Sequence, residues 1–275
     1  MEVTEPGAAY VLARKVLLDA LEGLGDHRRA AVLVGAQTVY VHTGSGELTT
    51  APMTTDADLL LRRSALSDNP TVDAAMRRAG FVLRPGGNPG QWVGEGHVGV
   101  DLMVVPHESG RSSPTARSVR MPPHDNNFAR PTEGVQAALV DHVPHFVRSL
   151  DVEDARGFEV SIAGPAALIT AKMIKIAERI DQPHRVRPKD ALDVYRLLSE
   201  LPIDALVDGF RRHLDDPHAT TASTRAVAVM VRSRLNVAEL ASQAARGDRQ
   251  VRRQCAELIS DLIEEIDLRC PKLLL

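Results

Sequence analysis

Apolar and polar positions along the first part of the chain follow two different periods. Residues 8–24 carry Leu12, Val16, Leu17, Ala20 and Leu24 at roughly helical spacing, which predicts an amphipathic helix. Ala31-Val32-Leu33-Val34 is wholly apolar and predicts a buried strand. Gly35 then marks a tight turn into a helix over 36–42, and a second buried strand is expected at 57–61. Asn69-Pro70 opens a helix through about Ala79, ended by Gly80. Phe81-Val82-Leu83, Gln91-Trp92-Val93 and Val98 to Val105 read as antiparallel strands, with the turn Pro85-Gly86-Gly87-Asn88-Pro89-Gly90 between the first two. Residues 107–135, rich in Pro, Ser, Arg, His and Asn, form a long excursion, the kind of loop that is functional or mobile. Strands are expected again near 145–151 and 158–162. From Gly164 onward the pattern is helical, with breaks at Pro202, Pro217 and Gly247. The expected fold class is α+β: a mixed sheet flanked by helices in residues 1–162, and a helical region in 163–275 that completes a cleft.

Polar residues inside the apolar runs carry the candidate chemistry. Asp56 and Asp58 lie two apart, just before Leu59-Leu60-Leu61, so an extended backbone aims both carboxylates at one side. Neighbouring carboxylates repel and resist burial, and a hard divalent cation resolves that conflict. The alternative is a polar turn in which Asp56 caps and Asp58 is solvated. Asp101 interrupts the apolar run 97–105 and supplies a third carboxylate from another strand. The strand–turn–helix at Val34-Gly35-Ala36-Gln37 offers backbone N–H groups and a positive helix end, which suits phosphate.

Composition narrows the choice. The chain prefers Arg and has only Lys15, Lys172, Lys175, Lys189 and Lys272. Lys172 and Lys175 are helical neighbours in Gly164-Pro165 to Arg179, and Arg179 continues their face. A Lys here is either a point charge for phosphate or a solvated helix charge. Asp190 and Asp193 share a face of the next helix; Asp190 also suits the helix N-terminus, and Asp193 lies deeper and wants a partner. One Trp, three Tyr and five Phe are too few for extensive base stacking, and a net charge of −3 excludes a highly basic nucleic-acid binder. A local patch from Arg179, Arg185 and Arg187, with Arg111, Arg117, Arg120 and Arg130 of the 107–135 excursion, could still grip RNA.

Cys255 and Cys270 have no metal spacing and read as free thiols, with a helix-stapling disulfide the alternative. The ten histidines form no zinc motif, and none is assigned chemistry. Met1 to Pro6 does not read as a signal peptide, and no stretch is apolar enough to span a membrane, so a cytoplasmic location is expected.

Val34-Gly35-Ala36, Asp56-Ala57-Asp58 and Asp101, in that order, resemble the signature of the nucleotidyltransferase superfamily that includes DNA polymerase beta. Ala36 stands where that signature has a second Gly or Ser. The spacer to Asp56 is long, with Thr43-Gly44-Ser45-Gly46-Glu47-Leu48 as an exposed turn. The Lys172 helix and the element Lys189-Asp190-Ala191-Leu192-Asp193 are similar to the AbiEii-like branch, the nucleotidyltransferase toxins of toxin–antitoxin systems. The resemblance covers roughly residues 30–200.

It implies a metal-dependent transfer of NMP from an NTP. Asp56, Asp58 and Asp101 would be the ligands of Mg²⁺ or Mn²⁺. Lys172 and Asp193 would join them as catalytic residues, with Gly35, Ala36, Gln37, Lys172, Lys175 and Asp190 around the nucleotide. It also implies an RNA acceptor such as a tRNA 3′ end, and a cognate antitoxin protein. A small hydroxylated acceptor such as an antibiotic, a protein acceptor, and a nonenzymatic nucleotide-binding protein are the alternatives.

Overall fold

All four side chains of the apolar run 31–34 are buried, and two strands flank it, which makes it an interior strand of the sheet. The computed structural model describes residues 7–44, 54–180, 182 and 184–274; the exposed turn expected over 43–48 lies, from Ser45 on, outside the described residues, as does the Met1–Pro6 segment.

The chain forms two compact units. The first comprises Met1–Thr38, Ala51–Thr132 and Val143–Ile162; the second comprises Val39–Thr50, Glu133–His142 and Ala163–Leu275. The last boundary between the units falls after Ile162, and two earlier segments also belong to the second unit.

The chain begins with α1 (Ala8–Gly23), β1 (Ala31–Val34), α2 (Gly35–Thr43) and β2 (Asp56–Leu61). Then come α3 (Val72–Arg78), β3 (Val82–Leu83), β4 (Gln91–Val93), β5 (Gly99–Val104) and β6 (Arg130–Pro131). The sheet ends with β7 (His142–Arg148) and β8 (Gly157–Ala163). Five helices follow: α4 (Pro165–Ala177), α5 (Pro188–Glu200), α6 (Ile203–His213), α7 (Pro217–Ala244) and α8 (Arg249–Arg269). The fold is α+β, and the strand order β3-β4-β5-β2-β1-β8-β7, with β6 beside β5, makes the sheet mixed. β1 runs antiparallel to β2 and parallel to β8, and β5 runs parallel to β2 and antiparallel to β4.

Three local expectations are corrected. The helix expected from Asn69-Pro70 starts at Val72, because the Thr71 hydroxyl accepts from the Ala74 N–H at 3.3 Å and so caps it there. The strand expected at 145–151 is β7, His142–Arg148. Pro144 lies inside it because β7 is the last strand of the sheet, where a missing N–H costs no ladder bond on the open side. The excursion after Pro106 is anchored: Val119, Met121, Phe128 and Ala129 are buried, and the Trp92 indole donates to the Phe128 carbonyl at 2.9 Å. It ends in β6, paired to β5 at Met103↔Arg130 and Val104↔Pro131.

In the second unit the breaks expected at Pro202, Pro217 and Gly247 separate α5 to α8. Asp216 caps α7 and Asp248 caps α8, each carboxylate accepting two backbone N–H groups. Both cysteines are free and buried, and burial pushes the Cys255 thiol up to about 12.

Candidate functional site

Strand pairing brings the three carboxylates of the first unit to one side of the sheet. In the parallel pair β2–β5, Asp56 is opposite Gly99 and Asp58 is opposite Asp101. Asp56 and Asp58 share a face because they are two apart, and Asp101 shares it because register partners point the same way. β1 places its end beside Asp58, with Val34 as the opposing residue. The next residue, Gly35, has φ +74°, and a Cβ there would lie 2.1 Å from Asp58 Oδ2. Only glycine satisfies both the backbone and the contact.

A buried relay fixes the start of β2. Gln37 is 1% exposed; its Oε1 accepts from Arg14 Nε at 3.0 Å, and its Nε2 donates to the carbonyls of Ala13 at 3.2 Å and Asp56 at 3.1 Å. The Gln37 side chain therefore positions Asp56 and is already committed to protein groups. Sequence reading missed Arg14, which is buried in α1 and reaches Tyr10, Gln37 and the Arg148 carbonyl.

The carboxylates are held separately. Asp56 Oδ1 accepts from the Thr54 hydroxyl at 2.8 Å, and Asp101 Oδ2 pairs with Arg130 Nη2 at 2.7 Å. Among the described residues, no three His, Cys, Asp or Glu side chains gather closely enough to hold a metal ion. The three carboxylates have the donor type that suits a hard divalent cation and share one face, but as arranged they do not close into a cation site; the bare Gly35 leaves backbone close to Asp58. Arg130 engages Asp101, and Thr54 engages Asp56. A cavity of about 530 Å³ adjoins this face, lined by Asp56, Asp101, Arg84, Gln91, His97 and Gly99 among others. The bare Gly99 admits the Arg84 guanidinium, whose Nη2 lies 3.2 Å from where a Cβ would sit. His97 has φ +60°, a left-handed conformation that non-glycine residues adopt at a cost.

No family model, curated protein or solved structure matches the chain.

The second unit gathers the other candidate residues. Pro165 in the first turn of α4 and Pro188 in that of α5 start those helices. Lys172 Nζ donates to Asp193 Oδ2 at 2.5 Å and to Asp190 Oδ1 at 3.0 Å, and all three side chains are buried. Asp190 also meets Lys175 at 3.4 Å and Arg179 at 3.3 Å. Burial disfavours the Lys172 ammonium, but the two carboxylates outweigh it and raise its pKa. Burial likewise works against ionised Asp190, yet Lys172 and Lys175 hold its carboxyl down at about 2. Lys172 is thus neither a solvated helix charge nor an uncompensated amine; Lys175, 43% exposed, is the one turned to solvent.

Asp141, not singled out in the sequence, is 1% exposed and accepts from Arg212 Nη2 at 2.6 Å and the Ala167 N–H at 3.1 Å. A Cβ on Gly164 would fall 2.2 Å from its Oδ1. His213 Nε2 lies 3.4 Å from Asp141, and its Nδ1 lies 2.7 Å from the Ser223 hydroxyl. This Asp–His–Ser line has the composition of a hydrolase triad, but His213 and Ser223 are wholly buried, so it ties helices together. Burial works against ionised Asp141, and bonds from His213 and Arg212 lower its pKa regardless. Among the described residues no helix is long and apolar enough to cross a membrane.

Proposed function

We propose that this chain is a nucleotidyltransferase, moving a nucleoside monophosphate from an NTP to an acceptor hydroxyl at the Asp56–Asp58–Asp101 face. The observation that carries the reading is the register of two parallel strands, which sets Asp58 opposite Asp101 beside the glycine that ends β1. That is the arrangement the resemblance to the polymerase beta superfamily implies. In the transfer, the acceptor oxygen bonds the α-phosphorus, the bond to pyrophosphate breaks, and the hydroxyl proton passes to Asp101. Asp56, Asp58 and Asp101 would hold Mg²⁺ or Mn²⁺, which when bound supplies Lewis-acid stabilisation of phosphoryl charge. Gln37, through the Asp56 carbonyl, keeps the first carboxylate in place. In the second unit, Lys172 keeps Asp190 and Asp193 compensated.

The acceptor class rests on the resemblance alone: RNA, with a tRNA 3′ end the leading candidate, in a toxin whose antitoxin is a separate protein. One observation favours a second reading. A cavity of about 530 Å³ lined by Asp56 and Asp101 is large enough for a small hydroxylated acceptor. Incubation of the protein with each labelled NTP, Mg²⁺ and bulk RNA, and in parallel with aminoglycosides, separates the two. Metal-dependent label in RNA supports the first reading and label in the small molecule the second. Label in neither contradicts both.

A further inference from the structure

Arg130 is presented to Asp101 by a backbone fixed on two sides. β6 pairs with β5 at Met103↔Arg130, and the Thr132 N–H donates to the Val104 carbonyl at 3.0 Å. On the other side Gly90, at φ +76°, packs so closely that a Cβ would lie 2.8 Å from the Arg130 nitrogen. Buried Phe128 and Ala129 immediately precede it. The register puts Arg130 on the same face as Met103, hence also as Asp101 two residues before, and its guanidinium closes on Asp101 at 2.7 Å. The pair is 24% and 17% exposed, so solvent reaches it without dispersing it. Carboxylates crowded on one face need positive charge, and here a tethered guanidinium supplies it at Asp101.

Resting on the cation-binding reading of this face, we propose that Arg130 is a positioning residue that holds the place of the divalent cation at Asp101. A cation and a guanidinium compete for the same carboxylate and repel each other, so the third ligand joins the site only as Arg130 withdraws. The displaced fork then presents paired N–H donors to a phosphoryl oxygen on the same face. The face is thereby kept compensated between turnovers, and cation and anionic substrate enter together.

The test is Mn²⁺ binding to the full chain, followed by electron paramagnetic resonance, in wild type, Arg130→Gln, Arg130→Lys and Asp58→Asn. Removing the competing charge should tighten Mn²⁺ binding about five- to tenfold in Arg130→Gln, the scale of a partly exposed ion pair plus a relieved like-charge contact. Arg130→Lys should stay near wild type and Asp58→Asn should lose binding. Unchanged or weaker binding in Arg130→Gln, with binding still lost in Asp58→Asn, overturns the role of Arg130 and leaves the cation site standing. Equal tightening in Lys and Gln variants also overturns it, because charge would not be the cause. No Mn²⁺ binding by any variant removes the cation site and this inference with it.

Discussion

In the first unit Asp101 pairs with the Arg130 guanidinium and keeps 17% of its side chain in solvent, whereas in the second Asp190 is 2% exposed and meets Lys172, Lys175 and Arg179. The groups are similar and the constructions opposed. Burial makes Lys172 hard to replace, since its loss takes the ammonium from Asp193 in a poor dielectric. Partial exposure at the Asp56–Asp58–Asp101 face lets one partner be exchanged for another at small cost. Residues of a lock and residues of a binding face can therefore share chemistry and differ in what their removal does.

The contrast breaks most easily at Lys172. Lys172→Ala removes the ammonium that meets Asp193 and leaves Asp190 to Lys175 and Arg179, and it should destabilise the protein by about 3–5 kcal/mol, read from urea denaturation. The sequence suggests a phosphate contact whose loss spares the fold; burial reverses that expectation. A fully folded Lys172→Ala variant of wild-type stability would mean that the cluster is no lock.

Acid should act on the same unit. Asp190 is depressed from its ordinary 3.8 to about 2, and Asp141 is lowered too. A depressed carboxyl contributes stability that is complete above its unfolded pKa and lost as pH falls through the folded one. For Asp190 that amounts to about 2 kcal/mol, lost between about pH 4 and pH 2. Denaturation midpoints flat across that window would contradict it.

Gly35→Ala sharpens the description of the acidic face. The substitution meets Asp58 Oδ2 at 2.1 Å and a φ of +74°, so it should cost about 1–2 kcal/mol and displace Asp58. Thermal melting measures the first effect and Mn²⁺ affinity the second; an unperturbed protein would show that the turn is looser than described.

How much of this was legible follows from what is local. β1, β2 and β5 were visible as apolar runs, each with its Gly or Asp in place, and α4 and α5 as periodic segments opened by proline. The shared face of Asp56 and Asp58 was also readable, because side-chain alternation is a local rule. The match of Asp58 to Asp101 is a register, set by pairing across the sheet, and no spacing encodes it. Lys172 read as a phosphate contact or a solvated helix charge, because the burial it shares with Asp190 and Asp193, 18 and 21 residues away on another helix, is set by helix packing and not by spacing. Arg130 was noticed among loop arginines, yet its partner is 29 residues back on a neighbouring strand. β7 starts at His142, three residues before the expected strand, and takes in Pro144, which the last strand of the sheet tolerates.

The smallest expected effect on stability belongs to the variant that bears most on function. Asp58→Asn keeps the size of a half-buried side chain while removing its charge, and should change stability by less than Gly35→Ala does. Transfer of label from an NTP to the acceptor, measured with Mg²⁺ for wild type and Asp58→Asn side by side, tests the central claim. The account predicts Mg²⁺-dependent transfer by wild type and a loss of about 100-fold or more in a variant that melts with it. Equal transfer by the two proteins, or none by wild type with any NTP and acceptor, would contradict the claim that the Asp56–Asp58–Asp101 face is the site of the reaction.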